Sequence, residues 1–398
     1  MTEFVEWTEE RRELRRTVAR LFADAAEKDR LPPDWQRLPI GLNRPLWAAL
    51  AELGLLGLAV PESLGGAGGQ LLDVCVVAEQ VGAALAAVPV VGTVAVTSAL
   101  TAASGPGAGS VLGAVLASVV AGEKVVAPAW SSFPASVVPG RRDSLTLSVS
   151  GAGDTVRGEL ATVPFGMDAD QLLAFGPDGR PLLVELSGPG VRRAPVDALD
   201  VMEPLASVSL LDAPAIVLPR IELPVARLLT VFAAELVGTA QRALDGAVEY
   251  ATQRRQFGRP IGSFQAIKHL LADRYVQLDA ARLLVFSAAA EGGSAEPGGS
   301  AEPAGAGGSA EPGGSAEPAG AGGSAEPLGP TELSARTALA AACDAADAVT
   351  ADALQVHGGI GFTWEHLSHL LLKRARSRRT LLGSPAIQLA TLATHIYA

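Results

Sequence analysis

The chain is poor in cysteine and in charge, and it has no long apolar run. Its two cysteines, Cys75 and Cys343, sit in Ala- and Val-rich sequence. That excludes a disulfide framework and reads as small buried hydrophobes in a reducing compartment. No segment approaches the roughly 18–20 uninterrupted apolar residues of a membrane-spanning helix. The opening MTEFVEWTEERRELRR lacks an apolar h-region, so no secretory signal is expected and a cytoplasmic address is. Basic residues are outnumbered 31 to 42, for a net charge of −11. This argues against a general nucleic-acid or anionic-membrane binder, and an anionic ligand would need a local basic patch or a helix N-terminus.

What is present is 48% apolar residues over 398 positions, ample for more than one core and suited to two or three layers or domains. Residues 8–27 carry Leu14, Val18, Leu21, Phe22 and Ala25 at helical spacing, with Thr8 placed to cap. PLWAALAELG predicts a second helix that stops at Gly54, and a Gly/Pro-punctuated loop then leads to a helix around Leu71–Val81. The apolar, Ala/Gly-rich stretch 91–121 adds further helix. From Lys124 the texture changes to short β-prone runs (VVAPAW, LTLSVS, QLLAFG, PLLVEL, VSLLDAPAIVL) separated by Gly, Pro and Asp, the spacing of a small barrel or sandwich. Helical period returns near Leu228 with the stripe Leu229, Ala233, Leu236, Ala240, Leu244 and Ala247. Ser263 and Thr331 are placed to open two more helices. The expected fold is multidomain α+β: an N-terminal helical domain (1–121), a middle β-barrel domain (122–226) and a C-terminal four-helix bundle (227–398). Residues 291–330, built on a GGSAEP repeat with almost no large apolar side chain, read as a mobile surface insert in that bundle.

Two segments carry chemistry. In YATQRRQFGRPIGSFQ (Tyr250–Gln265) a helix ends on Arg254 and Arg255 and the chain turns sharply through Gly258, Pro260 and Gly262. Such a corner offers a guanidinium beside a fresh helix N-terminus, which suits a pyrophosphate; a solvated Arg pair favourable to the helix dipole is the plainer account. In QVHGGIGF (Gln355–Phe362), glycines allow close backbone approach or a helix C-cap. Together, in this order, the segments resemble the acyl-CoA dehydrogenases, flavoenzymes that oxidise the Cα–Cβ bond of acyl-CoA thioesters. The resemblance extends more loosely through LAELGLLGLAVPESLGG and the β region.

The resemblance implies FAD as cofactor. It implies Arg254, Gln256, Phe257 and Gln265, with Gln355, His357, Gly358 and Gly359, as residues contacting the FAD of a neighbouring subunit. An acyl-CoA substrate, a homo- or heterotetramer and an electron-transfer flavoprotein or similar acceptor follow from it as well. The chain also departs from the family. Relatives active alone carry a catalytic glutamate at one of two places, and the matching positions here hold Leu382 and Leu228, neither able to take the α-proton. No catalytic residue is therefore assigned. The Thr-Glu-Pro-x-x-Gly-Ser-Asp loop and Trp-x-Thr strand that line the flavin ring in relatives are missing too; Ala127–Ser136 and Glu159–Asp170 stand in their place. The expectation is the FAD-binding, base-lacking subunit of a heteromeric enzyme in fatty acid or steroid catabolism. A flavin-dependent monooxygenase on the same fold and a non-catalytic structural partner are the alternatives.

Three further features are weighed. Glu365, His366 and His369 are too few and wrongly spaced for a metal site, so no metal is assigned. KRARSRR (Lys373–Arg379), the strongest basic run, reads as a solvated helix face, with contact to CoA phosphates or a partner subunit as the alternative. GPGAGS (Gly105–Ser110) lacks the strand–turn–helix context of a nucleotide loop and reads as a flexible loop.

Overall fold

A computed structural model describes residues 7–28, 41–104, 110–138, 145–148, 154–293 and 328–396. The N-terminal third is helical: α1 (Glu9–Lys28), α2 (Arg44–Glu52), α3 (Leu71–Ala84), α4 (Val90–Ala103) and α5 (Ser110–Val120). Local chemistry sets the boundaries. Thr8 Oγ1 accepts from the Arg11 amide at 3.3 Å, and Asn43 Oδ1 accepts from the Leu46 amide at 3.0 Å. Each thereby satisfies one otherwise orphaned helix N–H. Past the end of α2, Gly54 takes a φ of 70°, which costs glycine little. GPGAGS lies almost wholly outside the described residues.

The middle third is one curled sheet: β1 (Val126–Pro128), β2 (Leu145–Ser148), β3 (Thr155–Pro164), β4 (Gln171–Phe175), β5 (Pro181–Glu185), β6 (Val191–Val196) and β7 (Leu205–Val217). Its order is β1-β4-β5-β7-β3-β2, with β6 also pairing β7; β1–β4 is parallel and the other pairs are antiparallel. Long β7 makes the curl. Its first half pairs with β6 up to Leu210, its last three residues pair with β5, and Asp212 between them has a φ of 53°. Five of these strands coincide with the apolar runs; β3 and β6 do not. β3 mixes buried with exposed positions, β6 has no buried position, and both carry arginine, so their apolar signal is weak.

The C-terminal part contains α6 (Val225–Gln253), a hairpin of β8 (Arg255–Gln256) and β9 (Arg259–Pro260), α7 (Gln265–Gly293), α8 (Pro330–His357), α9 (Ser368–Leu381) and α10 (Pro385–Ile396). The stripe from Leu229 to Ala247 is buried throughout. Two helix starts differ from expectation. α7 begins at Gln265, and the Ser263 Oγ has no hydrogen-bond partner among the described residues, so it caps nothing. α8 begins at Pro330, one residue before Thr331, since proline suits the first helical turn. α7 also runs on to Gly293, into the stretch assigned to the insert; the repeat itself lies outside the described residues.

Hydrophobic packing crosses the three-way division. One apolar cluster joins α3, α4 and α5 to the C-terminal helices, and a second joins α1 and α2 to the sheet. The seam between α3 and α6 depends on two glycines. A Cβ on Gly82 would lie 2.0 Å from the Glu235 carbonyl oxygen, and one on Gly238 would lie 1.8 Å from that of Glu79. The backbones touch at both points, so α6 is pinned at mid-length, with one end toward the sheet and the other toward solvent.

Candidate functional site

At the far end of α6 the chain makes a two-residue hairpin, with Arg255 and Gln256 paired to Pro260 and Arg259. Both turn residues have positive φ, 53° at Phe257 and 79° at Gly258, the geometry of a type I′ turn. Phenylalanine is a poor choice for that conformation, and its ring is 91% exposed. The ring is thus held outward at a conformational cost. Around it, Arg254, Gln256 and Gln265 are exposed. Among the described residues no side-chain hydrogen bond or ion pair engages the Arg254 guanidinium, whereas Arg259 lies over the Phe264 ring at 4.2 Å. The Ile267 and Lys268 amides return to Phe264 O at the start of α7. The first-turn amides ahead of them have no partner within the helix, as at any helix start.

The Gly turn after α8 comes to the same place. Tyr250 on α6 and His357 on α8 have ring centroids 4.8 Å apart, so the C-terminal ends of the two helices meet. Gly358 takes φ 62° and ψ −141°, a conformation reserved for glycine, and neither it nor Gly359 has an atom within 4 Å of where a Cβ would stand. Gln355 is exposed and His357 buried, its Nδ1 2.7 Å from Ala353 O. Arg254, Gln256, Phe257, Gln265, Gln355, Gly358 and Gly359 therefore share one end of the bundle with open approach, and His357 braces that end from inside. Behind the turn, Ser368 Oγ lies 3.2 Å from His357 Nδ1 and 2.8 Å from His366 Nδ1. His366 lies ahead of α9, its Nδ1 accepting from the Ser368 amide at 3.2 Å, whereas His369 lies within that helix. Burial, then the neighbouring His357 and Arg242, hold His366 below the usual histidine range. Burial, then Lys373 and His366, does the same for His369. Glu365 is exposed, and among the described residues no three potential ligands gather around a metal position.

The near end of α6 meets the sheet and α9. Leu228 and Leu382 are both about 1% exposed and belong to one apolar cluster. Neither helix is apolar further along. Seven residues beyond Leu228, Glu235 is fully buried, and four residues before Leu382, Arg378 is 7% exposed. Arg374 bonds Asp200 and donates to Glu235 Oε1 at 2.9 Å. Arg378 bonds Glu203 and donates to Glu235 Oε1 at 3.0 Å. The reading of KRARSRR as a solvated face, or as a contact for CoA phosphates, is thus overturned for these two arginines. Asp200 and Glu203, from the loop ahead of β7, neutralise them from across the seam between sheet and bundle. Arg376 and Arg379 stay at the surface and pair with Asp347. Burial alone would raise the Glu235 pKa, but Arg378 and Arg374 overcome it and hold the carboxyl below its ordinary range. Burial would lower Arg378, and Glu203 with Glu235 raise it instead. Such a carboxylate is a poor proton acceptor. Sequence reasoning passed over Glu235, yet one acid inside the apolar run VFAAELVG is a mark of a paired buried charge.

Comparison with known proteins identifies the family. The acyl-CoA dehydrogenase N-terminal domain profile matches residues 8–106, and the C-terminal domain profile matches 222–306 and 323–397. The chain is 32% identical over 396 residues to the acyl-CoA dehydrogenase IpdE2 of Mycobacterium tuberculosis, covering 98% of each. It is 36% identical over 346 residues to the acyl-CoA dehydrogenase FadE34 of the same organism, 85% of this chain and 40% of that protein's length. The ChsE4-ChsE5 complex from M. tuberculosis superposes with a TM-score of 0.78 at 26% identity, over 100% of this chain and 99% of the matched one. Among the described residues no helix is long and apolar enough to cross a membrane. On the matched domains, and on the near full-length identity, this chain belongs to the acyl-CoA dehydrogenase family, FAD-dependent oxidoreductases acting on CH–CH bonds.

Proposed function

We propose that this chain is the base-lacking subunit of a heteromeric acyl-CoA dehydrogenase, and that it lends its α6–α7 corner and its α8 turn to a flavin in a paralogous subunit's site. The observation that carries this is a contrast between two places: leucine at both glutamate positions, Leu228 on α6 and Leu382 after α9, and an unengaged guanidinium at the exposed corner. The corner suits a dinucleotide. Arg254 and the first amides of α7 are donors for a pyrophosphate, Gln256, Gln265 and Gln355 are exposed amides, and Gly358 and Gly359 leave room for close approach. FAD, when bound, supplies the hydride acceptor for Cα–Cβ oxidation. This chain's part is to grip and orient it, while the α-proton goes to a carboxylate of the paralogue.

The similar ChsE4-ChsE5 structure is that of a complex, which supports a heteromer for a chain of this shape. A member of the electron-transferring flavoproteins, or a similar carrier, would take the electrons. The test is turnover of CoA thioesters of graded chain length with an artificial electron acceptor. The chain alone should show none, and co-expression with a glutamate-bearing paralogue should restore it. Sustained turnover by the isolated chain overturns the proposal.

A further inference from the structure

Between α4, α6, the end of β1 and α9 lies a slot lined by Val91, Gly92, Trp130, Phe165 and Phe232 together with Glu203, Glu235 and Arg378. Its lining from α6 (Phe232) and α9 (Arg378) stands four residues from Leu228 and Leu382, the two positions where relatives carry the base, so on the subunit reading this slot is the place of this chain's own acyl group. Its walls are apolar, as an acyl chain needs, but its free volume is about 10 Å³. That is roughly one water, against the roughly 300 Å³ or more of a working ligand pocket. The missing space is filled by charge. The Arg378 guanidinium lies 5.7 Å from the Phe232 ring centroid, and its Nε is 2.9 Å from Glu235 Oε2. Trp130 packs edge-on against the same ring at 5.3 Å.

An apolar filling would stabilise the fold as well as this one or better, because buried ion pairs seldom exceed the stability of well-packed hydrophobes. What charge adds is exclusion. An apolar chain entering here must part Arg378 from two carboxylates, leaving Arg378 and Glu203 unpaired in a dry site and Glu235 with Arg374 alone. We infer that Glu203, Glu235 and Arg378 form a fixed stopper in this subunit's own acyl cleft, so that a pair of subunits holds one acyl site, on the paralogue. This inference rests on the subunit reading above.

The experiment is calorimetric titration of the full chain with CoA, octanoyl-CoA and palmitoyl-CoA, beside a Glu203→Gln/Glu235→Ala/Arg378→Ala variant. The native chain should bind neither thioester more than about twofold better than CoA, as expected where no pocket of useful volume exists. The variant should bind at least one thioester about tenfold better than CoA, the gain expected from burying a few methylenes. If circular dichroism finds the triple variant unfolded, Glu203→Gln/Arg378→Ala, which removes the guanidinium and leaves Glu235 paired with Arg374, is titrated for the same direction of change. Tenfold preference for a thioester by the native chain overturns the stopper, as does a folded variant with no gain. Failures separate cleanly: acyl binding without turnover ends the stopper and leaves the subunit reading standing, whereas turnover by the chain alone ends the subunit reading.

Discussion

The two ends of α6 are both rich in arginine, and they use it in opposite ways. At the solvent end, Arg254 stands exposed and unengaged beside an outward phenylalanine. At the sheet end, Arg374 and Arg378 are buried and matched by Asp200, Glu203 and Glu235. A charge left open in water costs little and is available to a ligand. A charge taken out of water must be matched by its own chain. The difference says which end waits for something from outside and which end is finished, and mutations can be ranked by how hard they strike that contrast.

The largest effect belongs to the finished end. Arg374→Met leaves Asp200 and part of Glu235 unpaired, and should destabilise by about 3–5 kcal/mol, read as a fall in the urea midpoint. Gly238→Ala tests the pin that holds the two ends apart. A methyl 1.8 Å from a backbone oxygen forces α3 and α6 to separate, for about 1–3 kcal/mol or more. Arg254→Ala should leave unfolding within about 0.5 kcal/mol of native. Its cost appears in flavin affinity of the assembled enzyme, about ten- to a hundredfold for one lost charge-assisted bond, measured by flavin release on dilution. A stability loss without loss of flavin would reverse the assignment of the two ends.

Acid distinguishes the ends by where each weakens. His366 and His369 have lowered folded values, so the unfolded chain binds more protons below the ordinary 6.5. The stability they contribute is present above that pH and falls as the pH drops through it toward their folded values. Glu235 is also depressed, from 4.5, so its contribution holds above 4.5 and is lost only as the pH falls through its folded value. Melting followed from pH 8 to pH 3 should first show a shallow decline below 6.5 that His366→Gln and His369→Gln flatten. A steeper fall below 4.5 should follow, and Glu235→Gln should move that one. The histidine step is the smallest effect expected.

The helical, sheet and bundle order was legible because period and punctuation are local. Leu229 through Ala247 and the strand runs declare themselves residue by residue. β3 and β6 escaped because exposed positions and arginines interrupt their apolar signal. The exposed corner was legible as well, since a turn with Gly258 and an adjacent arginine pair is written in sequence. The stopper was not. KRARSRR looks like any solvated run until Asp200 and Glu203, about 170 residues away in sequence, are brought against it, and nothing local announces a partner contributed by another part of the fold.

From Leu228 to Arg254 is 26 helical steps, about 39 Å. Sites so far apart on a rod tied down at its middle respond to substitution independently. A duplicated gene can therefore close one copy's pocket and drop its base without disturbing the surface that copy offers to its sister. The long α6 makes divergence into specialised paralogues a matter of a few local changes, with no need for a new scaffold.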